Sequence, residues 1–289
     1  MLSADASLLN VSLPAIGRDL GGDLLLLKWV VTGKSLVFAS LMLSSGRLGD
    51  ILGHRRLFMS GGLMFSAGAL VAVTAGSLPV LLVGESVIKG VGATIMLPST
   101  MAILAHAYEG RQRLTAFAAW GGVAGAGAAF GPVIGGLLTQ QLSWRWCIGL
   151  TGLLAPLAVV AGSKVVPARR ADPKQSAGRF DLLGSTLIAV GVGLLVAGLS
   201  EGARLGWWKS LAEVTWGGST IWGPERRVAL TPILLATAAI CLVLFVAHSI
   251  RMARLGRTAM LDVRNFRLPA FRYGLAAGVM AAAGQWGVV

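Results

Sequence analysis

Long apolar runs separated by short basic loops constrain this chain more than any other feature of it. A helix that crosses a bilayer needs about 20 mostly apolar residues. Runs near that length are read at 29–45, 57–76, 80–105, 114–138, 146–166, 182–199, 231–250 and 273–289. Residues 1–16 resemble the latter part of one more run, with Asp5 close to its start. Segments buried in lipid must satisfy their own backbone hydrogen bonds, so runs this continuous are predicted to be helices. The expectation is an all-α multi-pass membrane protein of nine helical segments, the first and last incomplete.

Composition supports that class. Hydrophobic residues make up 55% of the 289, and charged residues only 13%. A soluble domain carries about 25% charged residues. A soluble enzyme, a coiled coil and a disordered tail are therefore excluded. Glycine is abundant, at 40 residues, as expected where helices pack closely on small side chains.

The net charge is +13. In a soluble protein that would suggest nucleic acid. Here its placement gives another meaning. Basic residues concentrate in the loops after the second, fourth, sixth and eighth segments. Arg47, Arg55 and Arg56 lie in the first of these, Arg111 and Arg113 in the next, then Lys164 to Arg179, then Arg251 to Arg272. The opposite loops hold fewer. By the positive-inside rule the richer loops are cytoplasmic, and so is the N-terminus. The charge records topology, and no nucleic-acid partner is expected.

Three strings carry more specific information. The loop after the second segment reads Gly46-Arg47-Leu48-Gly49-Asp50-Ile51-Leu52-Gly53-His54-Arg55-Arg56. Its glycines permit positive φ in a tight connection, and Asp50 can meet a helix N-terminus or a neighbouring arginine. The fifth segment ends in Gly127-Ala128-Ala129-Phe130-Gly131-Pro132-Val133-Ile134-Gly135-Gly136. Glycine at this density lets another helix approach, and Pro132 is expected to bend the span. The N-terminal string runs Asp5-Ala6-Ser7-Leu8-Leu9-Asn10-Val11-Ser12-Leu13-Pro14-Ala15-Ile16.

The first string resembles the signature loop of the major facilitator superfamily. The second is similar to the antiporter motif of drug:proton exchangers in that superfamily. The third resembles the first-span motif of the 14-helix drug:proton antiporter branch (EmrB/QacA type), with Ser7 where threonine is usual. Ser143-Trp144-Arg145-Trp146 and Phe180-Asp181-Leu182-Leu183-Gly184 match the branch's entries to the sixth and seventh spans. The resemblance covers nearly the whole chain and about the N-terminal two-thirds of such a protein.

That resemblance implies an organisation. Residues 1–166 would form an N-terminal six-helix bundle, and 167–181 a cytoplasmic loop. Residues 182–250 would supply two extra helices with an external Trp-rich loop at 200–230. Residues 251–272 would be a basic cytoplasmic loop, and 273–289 the start of a second bundle. It also implies proton-coupled export of drugs or other small apolar compounds across the inner membrane of a bacterium. Gly46, Gly49, Asp50, Gly53, Arg55 and Arg56 would bias an inner gate. Gly127, Gly131, Pro132, Gly135 and Gly136 would shape the packing that prevents a proton leak. The partners would be the bilayer, a small-molecule cargo and protons.

Ionisable residues at membrane depth are functional candidates because burying them is costly. Asp5 and Glu85 are the proton-coupling candidates, since low dielectric favours a carboxyl group's neutral form. Glu85 departs from the family pattern. An arginine is usual at the position of Ser86, and Lys89 replaces a common glutamine. Glu85 and Lys89 are spaced to share a helix face and pair, which is equally consistent with a structural role. Asn10, Lys34 and Lys89 are candidate cavity residues. Lys34 facing the central cavity would disfavour cationic cargo and favour neutral or anionic ones; a snorkelling Lys34 would say nothing about cargo. Pro98 is expected to kink or end the regular part of its helix.

Other motifs fail. Gly33-Lys34-Ser35 ends like a P-loop, but Lys28 stands where its first glycine belongs. His54, His106 and His248 lack metal-ligand spacing. No ATP, cofactor or metal is expected, and the driving force would be a proton gradient. Two alternatives stay open. One is a same-fold exporter of a specific metabolite or antibiotic, and the other a truncated membrane protein that transports nothing.

Overall fold

The computed structural model describes residues 1–21, 24–165, 180–216, 219–223, 225–226, 228–255, 266 and 268–286. Along these, helices run α1 (Leu2–Leu20), α2 (Leu24–Leu52), α3 (His54–Val73) and α4 (Leu78–Ala107). Then follow α5 (Gly110–Gln141), α6 (Trp144–Val165), α7 (Leu182–Leu205), α8 (Leu230–Arg254) and α9 (Pro269–Trp286). Seven of the described helices, α2 to α8, are long and apolar enough to cross a membrane. The protein is a multi-pass helical membrane protein. The loops 167–179 and 256–265, read as basic and cytoplasmic, lie outside the described residues.

Helix α1 buries Asp5, Leu8, Leu9, Ser12 and Ile16. That i, i+3, i+4, i+7 spacing is one stripe of a 3.6-residue helix. Its Leu9 and Ile16 join Val30 of α2, Ala69 and Ala72 of α3, Leu81 of α4 and Ile148 of α6 in the main core. Many large apolar side chains face outward instead, among them Leu114, Phe130, Leu153 and Val243. Lipid accepts such faces without cost.

Glycines set the closest approaches. A Cβ on Gly68 would sit 2.4 Å from the Lys89 backbone nitrogen, and one on Gly84 2.6 Å from that of Ala72. On Gly92 it would be 2.5 Å from the Phe65 nitrogen. Helices α3 and α4 therefore pack backbone to backbone, a contact that any larger residue would open. Between these contacts α4 widens into a π-helical stretch, Leu82–Ile88. Such stretches are frequent at functional sites.

Several boundaries differ from the sequence reading. Helix α4 runs on past Pro98 to Ala107, and its irregular stretch precedes the proline. Gly46 and Gly49 are not turn residues. They lie inside α2, and the connection to α3 is Gly53 alone, at φ 93°. The reason is that one left-handed residue turns the chain, leaving the helical hydrogen bonds before it intact. Helix α7 extends to Leu205 rather than ending near 199, because Glu201 finds Lys28 Nζ at 2.8 Å and Arg204 Nε at 2.5 Å. Beyond it the Trp-rich loop contains a short antiparallel hairpin, Val214–Trp216 with Ser219–Trp222. Helix α8 reaches Arg254, so Arg251 and Arg254 form its last turn, and α9 begins at Pro269 rather than 273. Helices α7 and α8 pack on each other, and α7 also packs on α2.

Candidate functional site

The four charges read at membrane depth meet in one place. Asp5 comes from α1, Lys34 from α2, and Glu85 and Lys89 from α4. Lys34 Nζ bridges Asp5 Oδ2 and Glu85 Oε1, the latter at 2.6 Å. Lys89 Nζ bridges Asp5 Oδ1 at 2.5 Å and Glu85 Oε2 at 2.8 Å. Each carboxylate therefore holds two ammonium groups and each ammonium two carboxylates. The ring alternates in sign and sums to zero.

Burial is nearly complete. The side chains of Glu85 and Lys89 are 0% exposed and Asp5 2%, while Lys34 keeps 15%. An unpaired charge here would be prohibitive, so the ring is the arrangement in which four such charges can coexist. Thr151 of α6 completes it, donating to Asp5 Oδ1 at 2.7 Å and accepting from Lys89 at 3.2 Å. The Lys89 ammonium also lies 4.9 Å from the Phe65 ring centre, a favourable placement for a cation.

The surrounding helices hold these groups in register. Ser86 donates to the Val30 carbonyl at 2.6 Å, and Gly33 abuts the Ser86 side chain, fixing α2 to α4 beside Lys34 and Glu85. On the other side, α5 positions α1. A Cβ on Gly127 would touch Ala4, one on Gly131 would lie 2.4 Å from Ser7 Cβ, and one on Gly135 3.1 Å from Leu8 Cδ2. These three glycines, four residues apart, form the face on which α1 lies. Gly136 and Pro132 are not part of that contact. Gly136 has open space where a Cβ would be, and Pro132 is exposed within a continuous α5.

Two ammonium groups and a hydroxyl surround Asp5. Lys34 is paired with both Asp5 and Glu85. Asn10 stands apart on the exposed face of α1. Thr151, Phe65 and Ser86 were not singled out beforehand as partners. A lone threonine in an apolar helix has no spacing signal that distinguishes it from packing.

The predicted gate loop forms a second cluster around Gly53. Asp50 meets Arg47 at 3.5 Å and His54 Nε2 at 3.3 Å. The His54 ring lies 6.1 Å from that of His106 at the end of α4, and it fills the space a Gly49 side chain would need. Arg55 donates to the Ser163 carbonyl of α6 at 2.6 Å, while Arg56 is exposed. Among the described residues, Arg47 Nη2, His54 Nδ1 and Arg55 Nε are buried without a hydrogen-bond partner.

Comparison with known proteins adds an independent line. The family profile of the Major Facilitator Superfamily matches residues 1–289. The chain is 29% identical to a probable actinorhodin transporter of Streptomyces coelicolor, over 98% of this chain and 46% of that protein. It is 32% identical to the cephamycin export protein CmcT of Amycolatopsis lactamdurans, over 97% of this chain and 53% of the relative. It is 30% identical to a lincomycin resistance protein of Streptomyces lincolnensis, over 88% and 48%. The chain thus spans about half the length of these relatives.

Proposed function

From the premise that this chain belongs to the Major Facilitator Superfamily, we propose that it is part of a proton-coupled exporter of antibiotics or other small apolar compounds. The observation that carries the reading is the buried ring of Asp5, Lys34, Glu85 and Lys89. Ionisable groups at membrane depth mark ion and proton pathways. The relatives' names, as exporters and resistance proteins, supply the cargo class.

In this reading the protein is an antiporter of the 14-helix drug:proton branch, in the inner membrane of a bacterium, with its N-terminus cytoplasmic. Asp5 and Glu85 are the carboxylates of the coupling site. The gradient drives transport, without a bound cofactor or ATP. Helix bundles rock about the site to expose it to each side in turn. Gly127, Gly131 and Gly135 keep α1 seated on α5, so that Asp5 stays in the ring and water does not bypass it. The Asp50, Arg47, His54 and Arg55 cluster biases closure on the cytoplasmic side. Helices α7 and α8 are the two extra helices of the branch.

The test uses the full-length protein in proteoliposomes with an imposed pH gradient and a panel of dye cargoes including ethidium. Gradient-driven uptake is expected, and Asp5→Asn and Glu85→Gln should each abolish it. Absence of uptake across the panel would refute proton-coupled drug export.

A further inference from the structure

The ring poses a question that the exporter reading leaves open: which of its atoms gives up the proton. Four ionisable groups face one another here, Asp5 from α1, Lys34 from α2, and Glu85 and Lys89 from α4. Helix α6 contributes Thr151 and α3 contributes Phe65, neither of which titrates in this range. Helix α7 also packs on α2, but its Glu201 is held by Lys28 and Arg204.

Lys34 differs from the other three in two respects. It alone keeps some exposure, at 15% against 0–2%. It is also the ammonium with fewer partners. Lys89 donates to Asp5, Glu85 and Thr151 and lies against Phe65, whereas Lys34 contacts the two carboxylates.

Charge balance separates the candidates. Suppose the exchangeable proton were on Asp5 or Glu85. The proton-loaded ring would then carry two ammoniums against one carboxylate, a net charge of about +1 in a buried site that cannot solvate it. A cationic cargo added to the deprotonated ring would leave the same surplus. If Lys34 is the carrier, the loaded ring is the neutral one described above. The cargo's positive charge then takes the place of the Lys34 ammonium between Asp5 Oδ2 and Glu85 Oε1. The site is neutral at both ends of the exchange.

Resting on the exporter reading, we infer that Lys34 Nζ is the proton carrier and that a cationic cargo group competes with it for the seat between Asp5 and Glu85. As the cation enters, the Lys34 ammonium swings out on its flexible stem toward its exposed side. Its N–H bond breaks, the electron pair stays on nitrogen, and the proton passes to water. Taking up a proton from the opposite side restores the ammonium, which displaces the cation. One cation leaves for each proton that enters, and the two carboxylates remain charged throughout.

The experiment measures ethidium binding and proton release by the full-length protein in detergent, then uptake in proteoliposomes. Ethidium carries a permanent charge, so its own titration does not intrude. Wild-type affinity is expected to rise up to about tenfold per pH unit while Lys34 is protonated in the cargo-free ring, with about one proton released per ethidium bound. Lys34→Ala should bind ethidium independently of pH, release no proton and lose gradient-driven uptake. Lys34→Arg keeps the charge and guards against a folding defect. Because arginine does not deprotonate, this variant should lose ethidium binding at every pH. Unchanged pH dependence and proton release in Lys34→Ala, or ethidium binding by Lys34→Arg, would overturn the assignment while leaving the exporter reading intact. Absence of gradient-driven uptake by the wild type would overturn the exporter reading itself.

Discussion

Two charged clusters, one inside the helix packing and one at the connection between α2 and α3, are built on opposite terms. The ring at Asp5, Lys34, Glu85 and Lys89 is buried, sums to zero and meets its charges pairwise. The corner around Gly53 is half-buried and leaves Arg47 Nη2, His54 Nδ1 and Arg55 Nε without partners among the described residues. A buried charge is tolerated only when its partners are in place. In the ring, moving one member away leaves two oppositely charged partners to be compensated. The corner keeps donors that another arrangement could give partners. In the proposed reading the ring serves coupling and the corner serves a gate.

The most severe way to break this contrast is to remove one ring member. Lys89→Met fills similar volume but leaves Asp5 and Glu85 to share Lys34. The expected loss is about 3–5 kcal/mol of stability, read by equilibrium unfolding in micelles. A loss below about 1 kcal/mol would mean the ring is not held as described. Gly68→Ala acts on the same site through the backbone. Its methyl group would press on the Lys89 nitrogen, and about 1–3 kcal/mol is expected, together with reduced cargo uptake. Asp50→Asn should mark the other side of the contrast. Its partners are partly exposed, so stability should change by about 1 kcal/mol or less. The balance between inward- and outward-open states should shift instead, which cysteine accessibility on the cytoplasmic side would register.

The contrast also explains what could be read in advance. All four ring residues were visible as candidates, because charged side chains in apolar runs are costly and few. Of their mutual pairing, only the i, i+4 step from Glu85 to Lys89 was legible. That α1 and α2 would deliver Asp5 and Lys34 to the same point depends on tertiary packing. Glycines on α3 and α4 fix one side of that packing, and Gly131 and Gly135 on α5 fix the other. That Lys34 is compensated by two carboxylates follows from this convergence and could not be read from the residue alone. Local geometry misled at the corner. Gly46 and Gly49 looked like turn residues, but a single positive φ at Gly53 makes the connection and the helix simply continues up to it. The hairpin in the Trp-rich loop was missed because strands of three and four residues carry too little alternation to register.

The central claim is that these four charges act as one unit, and a double-mutant cycle between Asp5 and Lys89 tests it most directly. The residues are 84 positions apart in sequence but 2.5 Å apart in the ring. Asp5→Asn, Lys89→Met and the double variant would be compared by equilibrium unfolding in micelles. If the ring exists, the double variant should be more stable than the summed single losses indicate, by about 0.5–3 kcal/mol. Strictly additive losses would contradict it.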